Sequence, residues 1–237
     1  MFNEQHKKES PILGLLGLGG GIARAGSSGF NFYDTNNIGA AVEGGFFAGL
    51  ISQNANGTAT HALIVAPKAT GSNSGSGIKW KTSESNTSGT SSTYDGAANT
   101  ANMNNSTHPA AYYCAGLTID GYSDWYLPAL YEMNIAYYHL KNSTHGNSTV
   151  NLTRNAYSVP SRASTNFTNS PLVPTQTSVS VFQLGGSEAF IQGATYWVST
   201  QHSANDGKDW VMDSGSSSGT GKTASSLKVR AFRKVAL

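Results

Sequence analysis

The chain has 237 residues, a net charge of +2 and a single cysteine. Its length suits one sizeable domain, and its small net charge gives no electrostatic case for nucleic-acid binding. One cysteine excludes an internal disulfide framework and any zinc site built from several cysteines. Charged residues make up only 12% of the chain, about half of the roughly 25% usual in globular proteins. This composition, rich in Ser, Thr, Asn and Gly, favours a loop-rich protein that contains β-strands.

An apolar segment near the amino terminus, Pro11–Ala23, follows two lysines and has the outline of a signal peptide. Its apolar core is short and rich in glycine, and glutamates accompany the lysines before it, which argues against that interpretation. It is also shorter than the ~20 residues that span a bilayer. We therefore expect no membrane span, and we interpret residues 1–38 as an arm that binds neighbouring subunits. The apolar side chains expected to make this contact are Ile12, Leu13, Leu15, Leu16, Leu18 and Ile22.

Three apolar stretches after residue 29 predict β-strands. Phe30–Tyr33 alternates in polarity, and Gly44–Ser52 and Thr60–Lys68 are longer apolar runs. Asn56-Gly57 lies between the two runs and is a strong hairpin signal. We therefore expect these two strands to pair antiparallel.

Residues 70–107 are low in sequence complexity and too polar to form a core of their own. They predict a long surface excursion that Trp80 and Tyr94 pin to the domain. The segment that follows, His108–Ala115, has the pattern of a short helix.

The clearest helix signal lies in Pro128–Lys141, where proline suits the first turn. Apolar residues recur there at spacings of three and four, which places them on one face; these residues are Leu130, Met133, Tyr137 and Leu140. A second, shorter helix is predicted within Pro174–Phe190, with Val179 and Phe182 facing inward and Gly185-Gly186 ending it. The carboxyl-terminal part predicts three strands, Thr195–Gln201, Asp209–Asp213 and Ser226–Val235.

The stretch GSSSGTGKTA, Gly215–Ala224, superficially resembles a phosphate-binding loop. Such a loop has a glycine, four residues, and then Gly-Lys-Ser/Thr, before a helix whose amino terminus faces the phosphates. Residue 216, where the first glycine should stand, is a serine, and a predicted strand follows instead of a helix. We therefore interpret the stretch as a flexible connection between two antiparallel strands.

The histidines and carboxylates are scattered and form no metalloprotease pattern. The histidines considered are His61, His108, His139, His145 and His202. Asp124 precedes the main predicted helix and is interpreted as a cap or brace of that turn. Calcium binding by Asp206, Asp209 and Asp213 has no support from their spacing, so we expect no cofactor and no metal. Cys114 is interpreted as a small buried apolar residue and not as a nucleophile.

Three blocks of sequence together resemble one family. Asp124–Met133 resembles an Asp-Trp-x-Leu-Pro pattern followed by a helix that carries glutamate. Thr195–Thr200 resembles Tyr-Trp-Ser-Ser-Thr-Glu, and Lys228–Arg233 resembles a closing Val-Arg-x-Val-Arg strand. This order is similar to the domain at the carboxyl terminus of a bacterial collagen-like adhesin, which also occurs in tail-associated proteins of phages and prophages.

The resemblance implies an α+β, C-type lectin-like fold for residues 39–237, with two helices packed on small antiparallel sheets and long irregular loops. Formylglycine-generating enzymes and the variable proteins of diversity-generating retroelements share this fold. The positions that mark it are Trp125, Leu127, Pro128, Glu132, Trp197, Arg230 and Arg233. Arg230 and Arg233 are three residues apart, so we expect one to brace an acid such as Glu132 or Asp124 and the other to face solvent.

The resemblance further implies a non-enzymatic virion protein, assembled in the host cytoplasm and exposed on the particle. Such a protein would belong to a tail fibre, tail tip or baseplate, and its domain would bind a saccharide or protein of the host surface. The arm would bind other virion proteins, and copies would associate, since fibre-like proteins are commonly trimers. Alternatives are a capsid decoration or collar protein, and a bacterial surface adhesin, which would need an export signal.

In the retroelement-diversified members the ligand face lies in the carboxyl-terminal region. By that similarity the candidate ligand-binding residues are Tyr196, His202, Asn205, Asp206, Lys208 and Trp210. A core position is an equal alternative for Trp197 and Trp210. The chain departs from the family pattern at Val198 and Gln201, where Ser and Glu are usual, and it lacks the cysteines that formylglycine chemistry requires.

Overall fold

The computed structural model describes residues 29–73, 75–148, 154–163 and 167–237, so the predicted contact residues of the arm, from Ile12 to Ile22, lie outside the described part. Within it, short strands in small antiparallel sheets outnumber helices, which is the mixed α and β composition that the sequence predicts. The helices are α1 (Lys68–Gly71), α2 (Gly96–Ala101), α3 (Pro109–Ala115) and α4 (Leu130–Leu140). The strands are β1 (Ala41–Val42), β2 (Gly45–Ile51), β3 (His61–Val65), β4 (Ser72–Asn73), β5 (Ser158–Val159), β6 (Thr168–Asn169), β7 (Leu172–Val173), β8 (Thr195–Gln201), β9 (Asp206–Val211), β10 (Gly219–Gly221), β11 (Val229–Arg230) and β12 (Phe232–Ala236).

The larger sheet is built on the predicted hairpin. Strands β2 and β3 pair antiparallel, with Phe47 opposite Ile64, which confirms the pairing inferred from the two apolar runs. Gly57, in the connection between them, has a φ of +80°, a conformation that glycine adopts without steric cost. Strand β12 pairs with the other edge of β3, so the order is β1-β2-β3-β12, with β5 beside β2.

Two hydrophobic cores lie on opposite faces of strands β3 and β8. In β3, Ile64 packs into the first core, whereas Val65 packs into the second. In β8, Trp197 packs into the first core and Tyr196 into the second. Side chains of neighbouring residues in a strand point to opposite faces. Because both members of each pair are buried, both faces of these strands are covered.

Tryptophan side chains fasten the polar excursion to strand β8. The indole nitrogen of Trp80 donates to the carbonyl oxygen of Val198 at 2.9 Å, and that of Trp197 donates to Ile78 at 2.7 Å. Tyr94 stacks on Tyr157 with ring centroids 4.1 Å apart. The predicted roles of Trp80 and Tyr94 as anchors are therefore confirmed, since these large side chains supply the apolar area that the excursion lacks.

Helix α4 begins at Leu130, two residues later than Pro128, and Glu132 explains its start. The carboxylate of Glu132 accepts a hydrogen bond from the backbone nitrogen of Ala129 at 2.7 Å and from the hydroxyl of Tyr126 at 2.9 Å. A carboxylate three residues into a helix satisfies a donor that the helix itself leaves free. Thr200 of β8 accepts from the backbone nitrogen of Leu130 at 3.1 Å, which ties the helix to the second sheet.

Two predicted elements are wrong. Phe30–Tyr33 forms a turn instead of a strand, because the side chain of Asn31 accepts from the backbone nitrogen of Tyr33 at 3.0 Å. Pro174–Phe190 holds only one turn of 3-10 helix, Ser180–Phe182. Ser and Thr in this segment weaken helix formation, because their side chains compete for backbone groups.

The aromatic residues of the Phe30–Tyr33 turn belong to the core. Phe30 and Phe32 both contact Phe47, with ring centroids 6.0 and 5.2 Å apart. Residues that the sequence assigns to the arm thus pack with the domain.

The predicted last strand is divided at Ala231, because the chain changes partners there. Strand β11 pairs with β4, whereas β12 pairs with β3. The backbone nitrogen of Ala231 donates to the carbonyl of Gly71 at 2.8 Å, between the two pairings. The alternation read from the sequence therefore does not continue across residue 231.

The two arginines of this segment are both buried in ion pairs. Arg233 lies 2.7 Å from Asp124 and 2.8 Å from Glu43, so the predicted brace to Asp124 is confirmed. Arg230 is 1% exposed and lies 2.8 Å from Glu188, so the expectation that one arginine faces solvent is wrong. The division at Ala231 accounts for this, because each arginine belongs to a different strand and meets its own acid.

Candidate functional site

Two of the predicted ligand-binding residues lie in the core. Tyr196 and Trp210 stand opposite each other on β8 and β9 and are 1% and 2% exposed. Tyr196 packs against Phe190 with ring centroids 5.3 Å apart, and Trp210 packs against Tyr137 at 5.8 Å. Their prediction as ligand contacts is wrong, and the core position left open for Trp210 is confirmed, because α4 and its neighbours cover the face of the sheet on which they lie.

The other predicted residues lie at or beside the turn between β8 and β9. His202 and Asn205 are exposed, whereas Asp206 and Lys208 are half-buried. The backbone nitrogens of His202 and Ser203 both donate to the carbonyl of Asp206 at 3.0 Å. The turn is therefore fixed by backbone contacts, and its exposed side chains are free to meet a ligand.

The stretch GSSSGTGKTA is part of the same site, and its predicted flexibility is wrong. Residues Gly219–Gly221 form β10 and pair with β9. The carboxylate of Asp209 accepts from the Ser218 backbone nitrogen at 2.7 Å and from the Thr220 hydroxyl at 2.5 Å. An ordered edge strand results, since these bonds hold the small polar residues that otherwise favour loops.

Lys222, at the end of this stretch, is fully buried. Its ammonium donates to the carbonyl oxygens of Ser85 at 2.9 Å and Ala204 at 2.8 Å, and to the amide oxygen of Gln201 at 2.7 Å. These three acceptors use the three donors of a lysine ammonium. One side chain thus joins the excursion, strand β8 and the turn that follows β8.

Lys81 makes a similar set of contacts beneath the excursion. Its ammonium donates to Ser85 and Asn86 carbonyls at 3.2 and 2.9 Å, and to the hydroxyl of Thr87 at 3.0 Å. The Ser85 carbonyl oxygen therefore receives both ammonium groups. Among the described residues neither Lys81 nor Lys222 forms an ion pair, so oxygen dipoles take the place of counter-ions.

Burial and positive charge shift the pKa values of this cluster. Burial, and then the charge of Lys81, lower the pKa of Lys222 to about 8. Burial, and then the charges of Lys81 and Lys222, lower the pKa of His108 to about 4. His108 is consequently neutral at pH 7, and its Nε2 lies 3.0 Å from the hydroxyl of Thr87.

Together the two lysines support a continuous polar surface, here named the lysine-held surface. It consists of residues 82–86, 202–206 and 218–223, which three separate parts of the chain supply. Its exposed groups are hydroxyls, amides, one imidazole and the carboxylate of Glu84, which accepts from the Thr223 hydroxyl at 3.0 Å. Hydroxyl and amide groups of this kind give adaptable hydrogen bonding to a polar ligand.

Sequence patterns do not single out Lys81 or Gln201 as parts of this site. Lys81 directly follows Trp80, and a lysine next to a buried aromatic residue is a weak signal that could have drawn attention to it. The sequence signal at Lys222 is the resemblance of its surrounding stretch, Gly215–Ala224, to a phosphate-binding motif.

The three acids considered for calcium use their oxygens on other partners. Asp206 accepts from the hydroxyl of Ser203 at 2.8 Å, and Asp213 accepts from the backbone nitrogen of Gly193 at 2.7 Å. Within the described ranges no group of three His, Cys, Asp or Glu side chains is arranged to hold a metal ion. Cys114 is buried, as the sequence indicates, and burial raises the pKa of its thiol.

A cleft of about 860 Å³ lies between residues 35–40 and 172–180. Tyr138 and His139 of α4 line one side of it. Burial, and then the charge of Arg162, lower the pKa of His139 to about 3, and Arg162 lies 2.9 Å from its Nε2. His139 is therefore a neutral acceptor held by an arginine, which leaves it unsuited to proton transfer at pH 7.

No protein-family model matches the chain, and no curated protein is significantly similar to it. Among the described helices none has the length and apolar character needed to cross a membrane.

Proposed function

We propose that this protein is a non-enzymatic phage virion component that displays the lysine-held surface to the host. Its place would be a tail fibre, tail tip or baseplate, and its described part would be a C-type lectin-like domain. The observation that carries the proposal is the lysine-held surface itself. Three chain segments meet there on two buried ammonium groups, which hold exposed side chains such as those of His202 and Asn205 at the surface.

Support for a lectin-like arrangement comes from the marker positions. Trp125 and Trp197 are buried, α4 follows Leu127-Pro128 directly, and the last strand runs beside the central hairpin. Fold alone does not decide function, since one scaffold carries many activities. The function is therefore argued from the surface and not from the scaffold.

The exposed chemistry favours a saccharide as the ligand. The imidazole of His202 and the amide of Asn205 can pair with sugar hydroxyls, and the surface offers no large apolar patch for a protein hot spot. A folded protein of the host surface is the competing ligand.

The test is binding of the purified full chain to an array of bacterial surface polysaccharides. We expect binding to fall at least ~10-fold in His202→Ala and Asn205→Ala, because each removes direct hydrogen bonds. Asn54→Ala, an exposed asparagine in the β2–β3 connection, is the matched control and leaves binding unchanged. Equal binding by all variants, or none by the native chain, would overturn the saccharide proposal.

Imaging of labelled particles separates this role from the alternatives. A position at the distal end of the tail supports host attachment. A position on the capsid lattice or collar supports a decoration role, in which the same surface serves assembly. Absence from particles together with display on cells supports a bacterial adhesin.

A further inference from the structure

A third buried lysine, Lys141, contacts a side-chain amide in an arrangement suited to chemistry. Lys141 follows the last residue of α4 and is fully buried, and Asn147 is 4% exposed. The Lys141 ammonium lies 2.8 Å from Oδ1 of Asn147, and it also donates to the carbonyls of His145 and Pro174. A potential nucleophile and a potential electrophile are thus held together away from bulk water.

The Asn147 amide is oriented and polarised by its other contacts. The hydroxyl of Tyr137 donates to the same Oδ1 atom, and this donor is independent of the lysine. A donor on a carbonyl oxygen stabilises the negative charge that develops there when a nucleophile attacks the carbon. Tyr137 is itself buried and packs against Trp210, which fixes the hydroxyl in place.

The nitrogen of the same amide is surrounded by acceptors. Nδ2 of Asn147 donates to the carbonyl oxygens of Thr168 at 2.9 Å, Val173 at 2.6 Å and Pro174 at 3.2 Å. Three carbonyl oxygens around one nitrogen stabilise positive charge on it. The site is therefore arranged to let this nitrogen leave with an additional proton.

The environment also favours the nucleophilic form of the lysine. Burial lowers the pKa of Lys141 to about 8, and the nearby charge of Asp213 opposes this shift. Roughly a tenth of the molecules then carry a neutral amine at pH 7, far more than for an ordinary lysine. Asp213 is buried too, and its Oδ1 atom has no hydrogen-bond partner among the described residues.

We propose that Lys141 and Asn147 form an intramolecular isopeptide bond without any enzyme or cofactor. The Nζ lone pair attacks Cγ of Asn147, a C–N bond forms, and the bond from Cγ to Nδ2 breaks. The lysine nitrogen gives up two protons, one before and one after it attacks, and the leaving Nδ2 takes up both, so it departs as an ammonium ion. One ammonium side chain and one carboxamide thus become one secondary amide and one ammonium ion, with no change of oxidation state.

A comparable contact elsewhere in the molecule lacks these features. Lys222 lies 2.7 Å from the amide oxygen of Gln201, and the backbone nitrogen of Thr87 also donates to that oxygen at 2.7 Å, so the difference lies at the amide nitrogen. The Gln201 nitrogen donates to a single exposed acceptor, Asn86, at 2.6 Å. We expect no bond between Lys222 and Gln201, which makes this pair an internal control.

Mass spectrometry of the purified full chain tests the proposal. The expected result is a chain lighter by one ammonia molecule, with Lys141 resistant to trypsin. Digestion with trypsin then yields one peptide covering residues 82–154, and its fragment ions locate the cross-link between Lys141 and Asn147. A folded native chain that keeps its unreacted mass and is cut after Lys141, after prolonged incubation at pH 8, would overturn the proposal.

Variants separate this reaction from other losses of ammonia. Lys141→Arg should keep the unreacted mass; if it still loses ammonia, cyclisation of an asparagine onto its own backbone is the cause and the proposal fails. Tyr137→Phe should react at least ~10-fold more slowly, because one donor to the carbonyl oxygen is lost. Tyr138→Phe is the matched control and should react at the native rate. Circular dichroism of each variant confirms that it is folded.

Discussion

The two regions in which buried lysines organise the chain differ in what their ammonium groups contact. Lys222 donates to backbone carbonyls of distant segments and Lys81 to backbone carbonyls close to it in the sequence, and together they hold an exposed surface. Lys141 donates to a side-chain amide whose carbonyl and nitrogen are both held by other groups. Burial of a lysine therefore has two different outcomes. A lysine that donates to backbone carbonyls holds chain segments in place. A lysine that donates to an oriented side-chain amide is placed where a covalent bond can form.

The largest expected effect on stability comes from breaking the support. Lys222→Met removes the donor from three acceptors, so we expect a loss of about 3 kcal/mol in the free energy of unfolding. Urea denaturation followed by fluorescence measures it. Lys79→Met, at an exposed lysine close to Lys81 in the sequence, is the control and should change stability by less than about 0.5 kcal/mol. Equal stabilities of the two variants would show that Lys222 is not a structural support.

The covalent bond proposed for the other region has a smaller expected effect. Closing a short loop between Lys141 and Asn147 should raise the free energy of unfolding by about 2 kcal/mol, by analogy with the chain-entropy effect of a disulfide. The slowly reacting Tyr137→Phe variant allows this measurement on one sequence. Its unreacted and reacted fractions are compared by urea denaturation, and identical curves would contradict the expected gain.

Acid should lower the free energy of unfolding through protonation of His108, which contacts Thr87 next to the lysine-held surface. Its pKa is about 4 in the folded protein, below the usual value near 6.5. The stability that depends on a neutral His108 is present above pH 6.5 and is lost as the pH falls from 6.5 toward 4. At pH 5 we expect a loss on the order of 1–2 kcal/mol.

The difference in stability between the native chain and His108→Gln, measured from pH 7.5 to pH 4.5, isolates this effect from other titrating groups. The difference should change steadily below pH 6.5. A difference that is constant with pH would show that His108 titrates normally.

The smallest expected effect on stability lies on the surface itself. Asn205→Ala should change the free energy of unfolding by less than about 0.5 kcal/mol, because its side chain is exposed and supports no other segment. Thermal melting measures this. A large loss would mean that the exposed residues belong to the support and are not available to a ligand.

Elements with local signals could be predicted from the sequence. The β2–β3 hairpin follows from two apolar runs joined by Asn56-Gly57, and α4 follows from the spacing of its apolar residues. Strand β8, Thr195–Gln201, has the predicted bounds. In each case the information lies within a few residues of the element that it specifies.

The parts of the site that depend on distant partners could not be predicted. Lys222 lies in a stretch of small polar residues, and its acceptor on Ser85 is 137 residues away in the sequence. Tyr196 and Trp210 are candidate ligand contacts only through the family resemblance, but α4 covers their face of the sheet. Only the three-dimensional arrangement shows which face of a strand is covered.

The buried lysines hold the excursion through main-chain oxygen atoms, so the side chains there can change without loss of these contacts. The carbonyl of Ser85, which both Lys81 and Lys222 contact, is present whatever side chain stands at that position. Residues 82–86 can therefore be exchanged widely while their path over the domain is kept. A library randomised at the exposed positions of this segment should yield folded proteins at high frequency, which would let new binding specificities arise on an unchanged frame.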